Sequence, residues 1–172
     1  MLKAAFSSSL DPDWHHFEPV RIGRIPRTLP TPDRFVTVTD NGQPVLRVDV
    51  YSYGPDCFAF EEALVWRTLV IIGFGSHVHA VSIDDRSVVT VELGSYFGHM
   101  YPHHDFVLLA SGEHLFRLQP DRSVLWQSPP LGMDGVVVRE VGSADISGEG
   151  EWDPPGGWKP FTVSIADGKP TR

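Results

Sequence analysis

Apolar runs along the chain are short and are broken every few residues by Gly or Pro, which leaves no room for long helices and predicts strands and turns. The clearest local signal is a hairpin. Phe35-Val-Thr-Val-Thr39 and Val45-Leu-Arg-Val-Asp-Val50 flank Asp40-Asn-Gly-Gln-Pro44. Asn-Gly between two apolar runs suits a tight turn, because both residues tolerate positive φ. The next apolar segment, Phe58 to Trp66, fits one or two helical turns as well as a strand.

An internal repeat follows. Leu69-Val-Ile-Ile-Gly-Phe-Gly-Ser-His-Val-His-Ala-Val81 lies over Phe106-Val-Leu-Leu-Ala-Ser-Gly-Glu-His-Leu-Phe-Arg-Leu118 at an offset of 37 residues. After a one-residue gap, Asp85-Arg-Ser-Val-Val89 lies over Asp121-Arg-Ser-Val-Leu125. Seven of about 21 positions are identical: Val70/Val107, Gly75/Gly112, His77/His114, Asp85/Asp121, Arg86/Arg122, Ser87/Ser123 and Val88/Val124. The unit reads strand, Gly turn, strand, Asp-Arg-Ser turn, strand. A looser third copy starts at Val136-Val-Val-Arg-Glu-Val141 and ends at Phe161-Thr-Val-Ser-Ile165 and the turn Ala166-Asp-Gly168.

A repeat of about 37 residues built from short strands resembles a β-propeller blade. Leu115-Phe-Arg-Leu-Gln-Pro-Asp-Arg-Ser-Val-Leu-Trp-Gln127 is similar to the blade pattern of quinoprotein-like propellers. The chain is also similar to bacterial proteins that carry the segment Gly150-Glu-Trp-Asp-Pro-Pro-Gly-Gly-Trp158. These resemblances imply a fold and no activity. A propeller closes with about four or more blades, and this length holds three or four small ones. The expected fold is all-β, with propeller-blade-like antiparallel meander repeats forming an open or truncated propeller or a sandwich. Residues 35–172 are expected to form one β-repeat domain, with repeats near 66–102, 103–133 and 134–170. Residues 1–34 hold five prolines and four of the chain's arginines. They read as an extended strap on the body or a solvated arm, with Trp14 and Phe17 as anchors.

Composition and charge narrow the classes. Gly and Pro make 18% of 172 residues, above the globular average of about 12%. The net charge is −8. Residues 1–34 carry +1 and the rest −9, of which −5 falls between Asp134 and Asp153. That sign disfavours direct binding to a nucleic-acid backbone. No run is long enough for a membrane span, and the first ten residues lack the apolar core of a signal peptide. The single cysteine, Cys57, leads to the expectation of a reducing, cytoplasmic setting.

Candidate chemistry lies in three places. His77-x-His79 puts two imidazoles on one face of a strand. It lacks the Glu spacing of a cupin motif, and His79 aligns with Phe116, which favours packing over metal binding. The segment Gly94 to His104 offers Tyr96, His99, Tyr101 and His103, rings with polar tips that suit a binding surface. A His base there would need an orienting carboxylate, and Asp105 is adjacent. The third place is the acidic loop from Asp145 to Trp158. If it is extended, Glu149, Glu151 and Asp153 share a face, and Trp152 and Trp158 add aromatic anchors. Cys57 follows Asp56, whose charge blunts a thiol, and neither a nucleophile elbow nor a phosphate loop occurs.

These features lead to the expectation of a non-enzymatic binding protein, with no catalytic residue, metal or cofactor. Its contact surface is Glu149, Glu151, Trp152, Asp153, Trp158, Tyr96, His99, Tyr101 and His103. The expected partner is a basic protein, as for an immunity or inhibitor protein that neutralises a toxin-like partner. The alternatives are a metal-binding or hydrolytic enzyme using the His-rich loop, and a structural repeat module of a homo-oligomer.

Overall fold

Among the described residues, fifteen strands fall into four small sheets that follow one another along the chain. The computed structural model describes residues 1–28, 31–54, 60–152 and 156–171. Cys57 and Asp153 lie outside the described residues. The first sheet holds β1 (Leu2–Ser7), β2 (Val20–Gly23), β3 (Arg34–Asp40) and β4 (Gln43–Tyr51), in the order β1-β3-β4-β2. The second is β5 (Glu61–Trp66), β6 (Leu69–Phe74), β7 (His77–Ser82) and β8 (Val88–Glu92). The third is β9 (Phe97–Pro102), β10 (Val107–Ser111), β11 (Leu115–Leu118) and β12 (Val124–Gln127). The fourth is β13 (Val136–Val141), β14 (Asp145–Trp152) and β15 (Gly157–Ser164). The last three sheets are antiparallel meanders, and in the first only β2 and β4 run parallel. The repeat units therefore span 61–92, 97–127 and 136–164. Each begins with a strand ahead of the repeated one, and β9 opens the second unit.

The hydrophobic pattern explains the stacking of these sheets. In β6 every residue is buried. Leu69 and Ile71 pack into a core shared with the third sheet, while Val70, Ile72 and Phe74 pack into one shared with the first. In β10, Val107 and Leu109 face the second sheet and Leu108 and Ala110 the fourth. Both strands are covered on both faces, so they read as continuous apolar runs instead of alternating ones. Each fully buried side chain of this size contributes roughly 1.5–3 kcal/mol. The three cores join consecutive sheets, and none among the described residues joins the first sheet to the fourth. The array is open, without a closed barrel.

The hairpin forms as the Asn-Gly signal predicts, with Asn41 at φ 49° and Gly42 at φ 82°. The N-terminal segment supplies β1 and β2 to the edges of the first sheet. Its 3-10 turn, Pro12–Trp14, buries Trp14, and Phe17 packs on that ring at 5.3 Å. Beside it, Arg47 makes two bonds to buried Asp49, at 2.8 and 3.0 Å, and donates to the Trp14 carbonyl.

The repeated turns are built alike. Asp85 Oδ1 accepts from the backbone and hydroxyl of Ser87, and Asp121 Oδ1 does the same from Ser123. These bonds hold both carboxyls well below the usual range. Arg86 and Arg122 take φ of 59° and 70°. The third copy is present at Asp167-Gly168-Lys169, with Gly168 at φ 69° and Asp167 accepting from the Lys169 backbone.

Of the two readings open for the segment ending at Trp66, the structure shows the strand, from Glu61, whose residues pair in register with β6. The segment around His99 is strand β9. The acidic loop is the hairpin of β14 and β15, paired from Asp145↔Ser164 to Trp152↔Gly157.

Candidate functional site

The start of β9, the end of the β14–β15 hairpin and the chain just before β13 meet at one end of the array. A ladder of backbone bonds ties them together. Gly112 N–H donates to the Tyr96 carbonyl at 3.0 Å, Gly135 to Gly112 at 2.8 Å, Glu151 to Gly135 at 2.8 Å, and Met133 to Glu151 at 2.6 Å. The Tyr96 ring lies on Gly112, where a Cβ would come within 2.8 Å of it. The Trp158 ring lies over Gly135, where a Cβ would sit 3.1 Å from Trp158 Cη2 and 3.8 Å from Glu151 Oε2.

These contacts enclose a cleft of about 140 Å³ lined by Phe60, Tyr96, His99, Asp134, Glu151 and Trp158. The Phe60 ring lies 6.3 Å from Tyr96, within 21° of parallel, and 5.0 Å from His99. Tyr96 Oη donates to the Asp134 carbonyl at 2.5 Å and approaches its carboxylate at 3.3 Å, so the ring is pinned. Trp158 is 48% and Phe60 41% exposed. The cleft is smaller than the roughly 300–1,000 Å³ typical of small-molecule sites, and its size suits the end of one long side chain. Two wider hollows, about 430 and 520 Å³, lie along the strap beside Arg21 and Arg47 and between Arg24 and Tyr53.

Four of the nine predicted contact residues are thus brought together: Tyr96, His99, Glu151 and Trp158. Glu149 sits on the same face of β14 as Glu151, but Arg139 holds it with two bonds of 2.8 and 3.0 Å. Trp152 lies under the Lys159 ammonium at 5.8 Å. Tyr101 is committed to the fold. Its hydroxyl accepts from the Val138 N–H at 3.1 Å, joining the third sheet to the fourth. Burial raises its phenol pKa. His103 stacks on Phe106 at 4.5 Å, and its carbonyl accepts from Trp66 Nε1. Asp105 pairs with His104 at 2.7 Å, both solvent-exposed and outside the cleft.

His77 and His79 do share a face, as strand spacing requires. Their rings stack with Tyr53, 3.7 Å from His77 and 6.2 Å from His79. His79 is buried and bonds Thr90 at 2.9 Å. Burial, with His77 adding a smaller push, pulls its pKa down to about 4. Among the described residues, no group of three or more His, Cys, Asp or Glu side chains gathers where a metal could sit. No helix among them is long and apolar enough to cross a membrane.

Sequence reasoning missed Phe60 and Asp134 as cleft residues and Gly112 and Gly135 as its floor. The repeat identity Gly75/Gly112 marked one of these two glycines. No protein-family model matches the chain, and no curated protein matches it.

Proposed function

We propose that the protein is a non-enzymatic binding module that captures a basic protein partner. An immunity or inhibitor protein acting on a basic, toxin-like partner in a reducing, cytoplasmic setting is the specific form of this reading. One observation carries it. Exposed aromatic rings and two carboxylates, drawn from separate segments, converge in one cleft on the acidic half of the chain. Aromatic anchors such as Trp and Tyr in packed pockets often carry much of the energy of a protein interface. The negative field around them speeds encounter with a cationic partner and disfavours wrong ones.

The test is capture at low salt by the protein and by a Glu149→Lys, Glu151→Lys variant. The reading expects a basic protein to be retained by the first and lost by the second, with an unchanged melting temperature. Glu149 and Arg139 form a solvent-exposed pair, and such pairs contribute about 0–1 kcal/mol. Equal capture by both proteins, or capture that is insensitive to salt, overturns the reading.

A further inference from the structure

Among the described residues, a carboxylate, an aromatic ring and an arginine meet three times. Arg67 lies 3.6 Å from Asp105 with its guanidinium 5.2 Å from the Trp66 ring. Arg34 bonds Glu61 at 2.7 Å with its guanidinium 5.9 Å from the Phe74 ring. Arg47 bonds Asp49 with its guanidinium 5.7 Å from the Phe35 ring. Among the described residues, the lining of the cleft repeats the first two parts of that arrangement without the third. Asp134 and Glu151 supply carboxylates, and Phe60, Tyr96 and Trp158 supply rings. Among the described residues, neither carboxylate is in an ion pair.

We infer that the cleft receives one arginine side chain from the partner. The inference rests on the partner-binding reading and names the group that is bound. A guanidinium is planar and always charged, stacks on aromatic faces and offers a fork of donors to carboxylates. An ammonium satisfies the charge but not the fork. The small volume fits the end of one such side chain. Arginine is also among the residues that most often dominate protein interfaces.

The probe is a short capped peptide with one arginine flanked by Gly and Ser, compared with the same peptide carrying citrulline or lysine. The readout is the NMR shift of the Trp158 indole N–H and the Gly135 and Glu151 amides. The arginine peptide is expected to shift these signals saturably. Citrulline, isosteric but neutral, is expected to bind at least about tenfold more weakly, as is the arginine peptide to Glu151→Gln, since a charged hydrogen bond is worth about 1.5 kcal/mol or more. Absence of saturation, or citrulline equal to arginine, overturns the inference. Lysine equal to arginine overturns the choice of arginine. If Glu151→Gln does not fold, the citrulline comparison on the unaltered protein decides. Failure here with loss of capture on charge reversal removes the arginine while the partner reading stands. A saturable arginine response without any salt-sensitive capture removes the partner reading instead.

Discussion

Arg122 donates to Ser87 Oγ at 2.7 Å and to the Ser87 carbonyl at 3.2 Å, so the Asp-Arg-Ser turn of one repeat grips the same turn of the repeat before it. The equivalent Arg86 reaches back to the Glu18 carbonyl of the strap at 3.3 Å. At the next joint the device changes. Trp126 Nε1 and Arg117 Nη1 both donate to the Ile165 carbonyl at 2.8 Å. The repeated arginine thus bonds the preceding unit at two joints, and indole and guanidinium donors from the preceding sheet bond the later one at the third.

Replacing Arg122 separates its bond from its backbone cost. Ala keeps the left-handed φ and loses the donor. Gly loses the donor and relieves about 1 kcal/mol of left-handed strain. The expected result is that Arg122→Ala destabilises by about 1–2 kcal/mol and Arg122→Gly by about 1 kcal/mol less. Urea titration measures both. Equal losses would show that the turn is not strained.

Gly168 stands where the other copies have arginine, and Trp126 occupies the space beside it. A Cβ there would fall 2.5 Å from Trp126 Cε3, at φ 69°. Gly42 has a similar φ of 82° with open space around it. Gly168→Ala is expected to cost about 2 kcal/mol or more, and Gly42→Ala about 1 kcal/mol. A larger loss at Gly42 would contradict the packing account.

Two inner-edge amides are satisfied by side chains of the neighbouring sheet. Glu62 accepts from Met100 at 2.9 Å, and Tyr101 from Val138 at 3.1 Å. Tyr101→Phe keeps the ring and leaves the Val138 amide without its acceptor. The expected cost is about 1–3 kcal/mol. Hydrogen exchange at Val138 should quicken while Met100 stays protected. Unchanged exchange at Val138 would assign Tyr101 a packing role alone.

His79 makes stability sensitive to mild acid. Its native pKa is lowered to about 4 from 6.5. Below pH 6.5 the unfolded chain takes up a proton that the native state refuses. Stability therefore falls between pH 6.5 and 4, by up to about 1.4 kcal/mol per pH unit and about 3 kcal/mol across the window. The carboxyls Asp85, Asp105, Asp121 and Asp167 are shifted downward, and titrate below this window. The aligned Phe116 shows that a ring without charge fits the repeat at this position. His79→Phe should flatten the dependence of the urea midpoint between pH 7 and pH 5. An equally steep dependence in the variant would place the acid sensitivity elsewhere.

The legibility of the chain follows from what each segment buries. β6 and β10 were legible because a core on both faces demands apolar residues throughout, and the Asp-Arg-Ser turn repeats its own bonding. β9 was not, since His99 and Tyr101 interrupt its apolar pattern, one facing the cleft and the other bonding the next sheet. β14 looked like a loop because of Gly148 and Gly150. There the glycines make room. A Cβ at Gly148 would meet the Phe161 ring at 2.5 Å, and one at Gly150 would meet the Leu131 carbonyl. Close approach, not a turn, selects glycine at both positions. Tyr96 and Trp158 were each legible as anchors. Their meeting was not, because it depends on the backbone ladder through Gly112 and Gly135.

Gly135 gives a way to disturb the cleft without removing a charge or a ring. Its φ is 159°, a positive value that L side chains rarely adopt, so alanine there should cost about 1–3 kcal/mol of backbone strain. The new Cβ would also press on Trp158 Cη2 at 3.1 Å. Trp158 is nearly half exposed and can swing toward solvent, so the steric part of the cost should be small. The ring would then leave its place beside Glu151, and partner capture should weaken by about tenfold or more, the usual scale for an aromatic anchor. Paired binding and melting measurements on Gly135→Ala decide the matter. Capture at full strength with a displaced Trp158 indole signal would mean that the ring is not part of the contact.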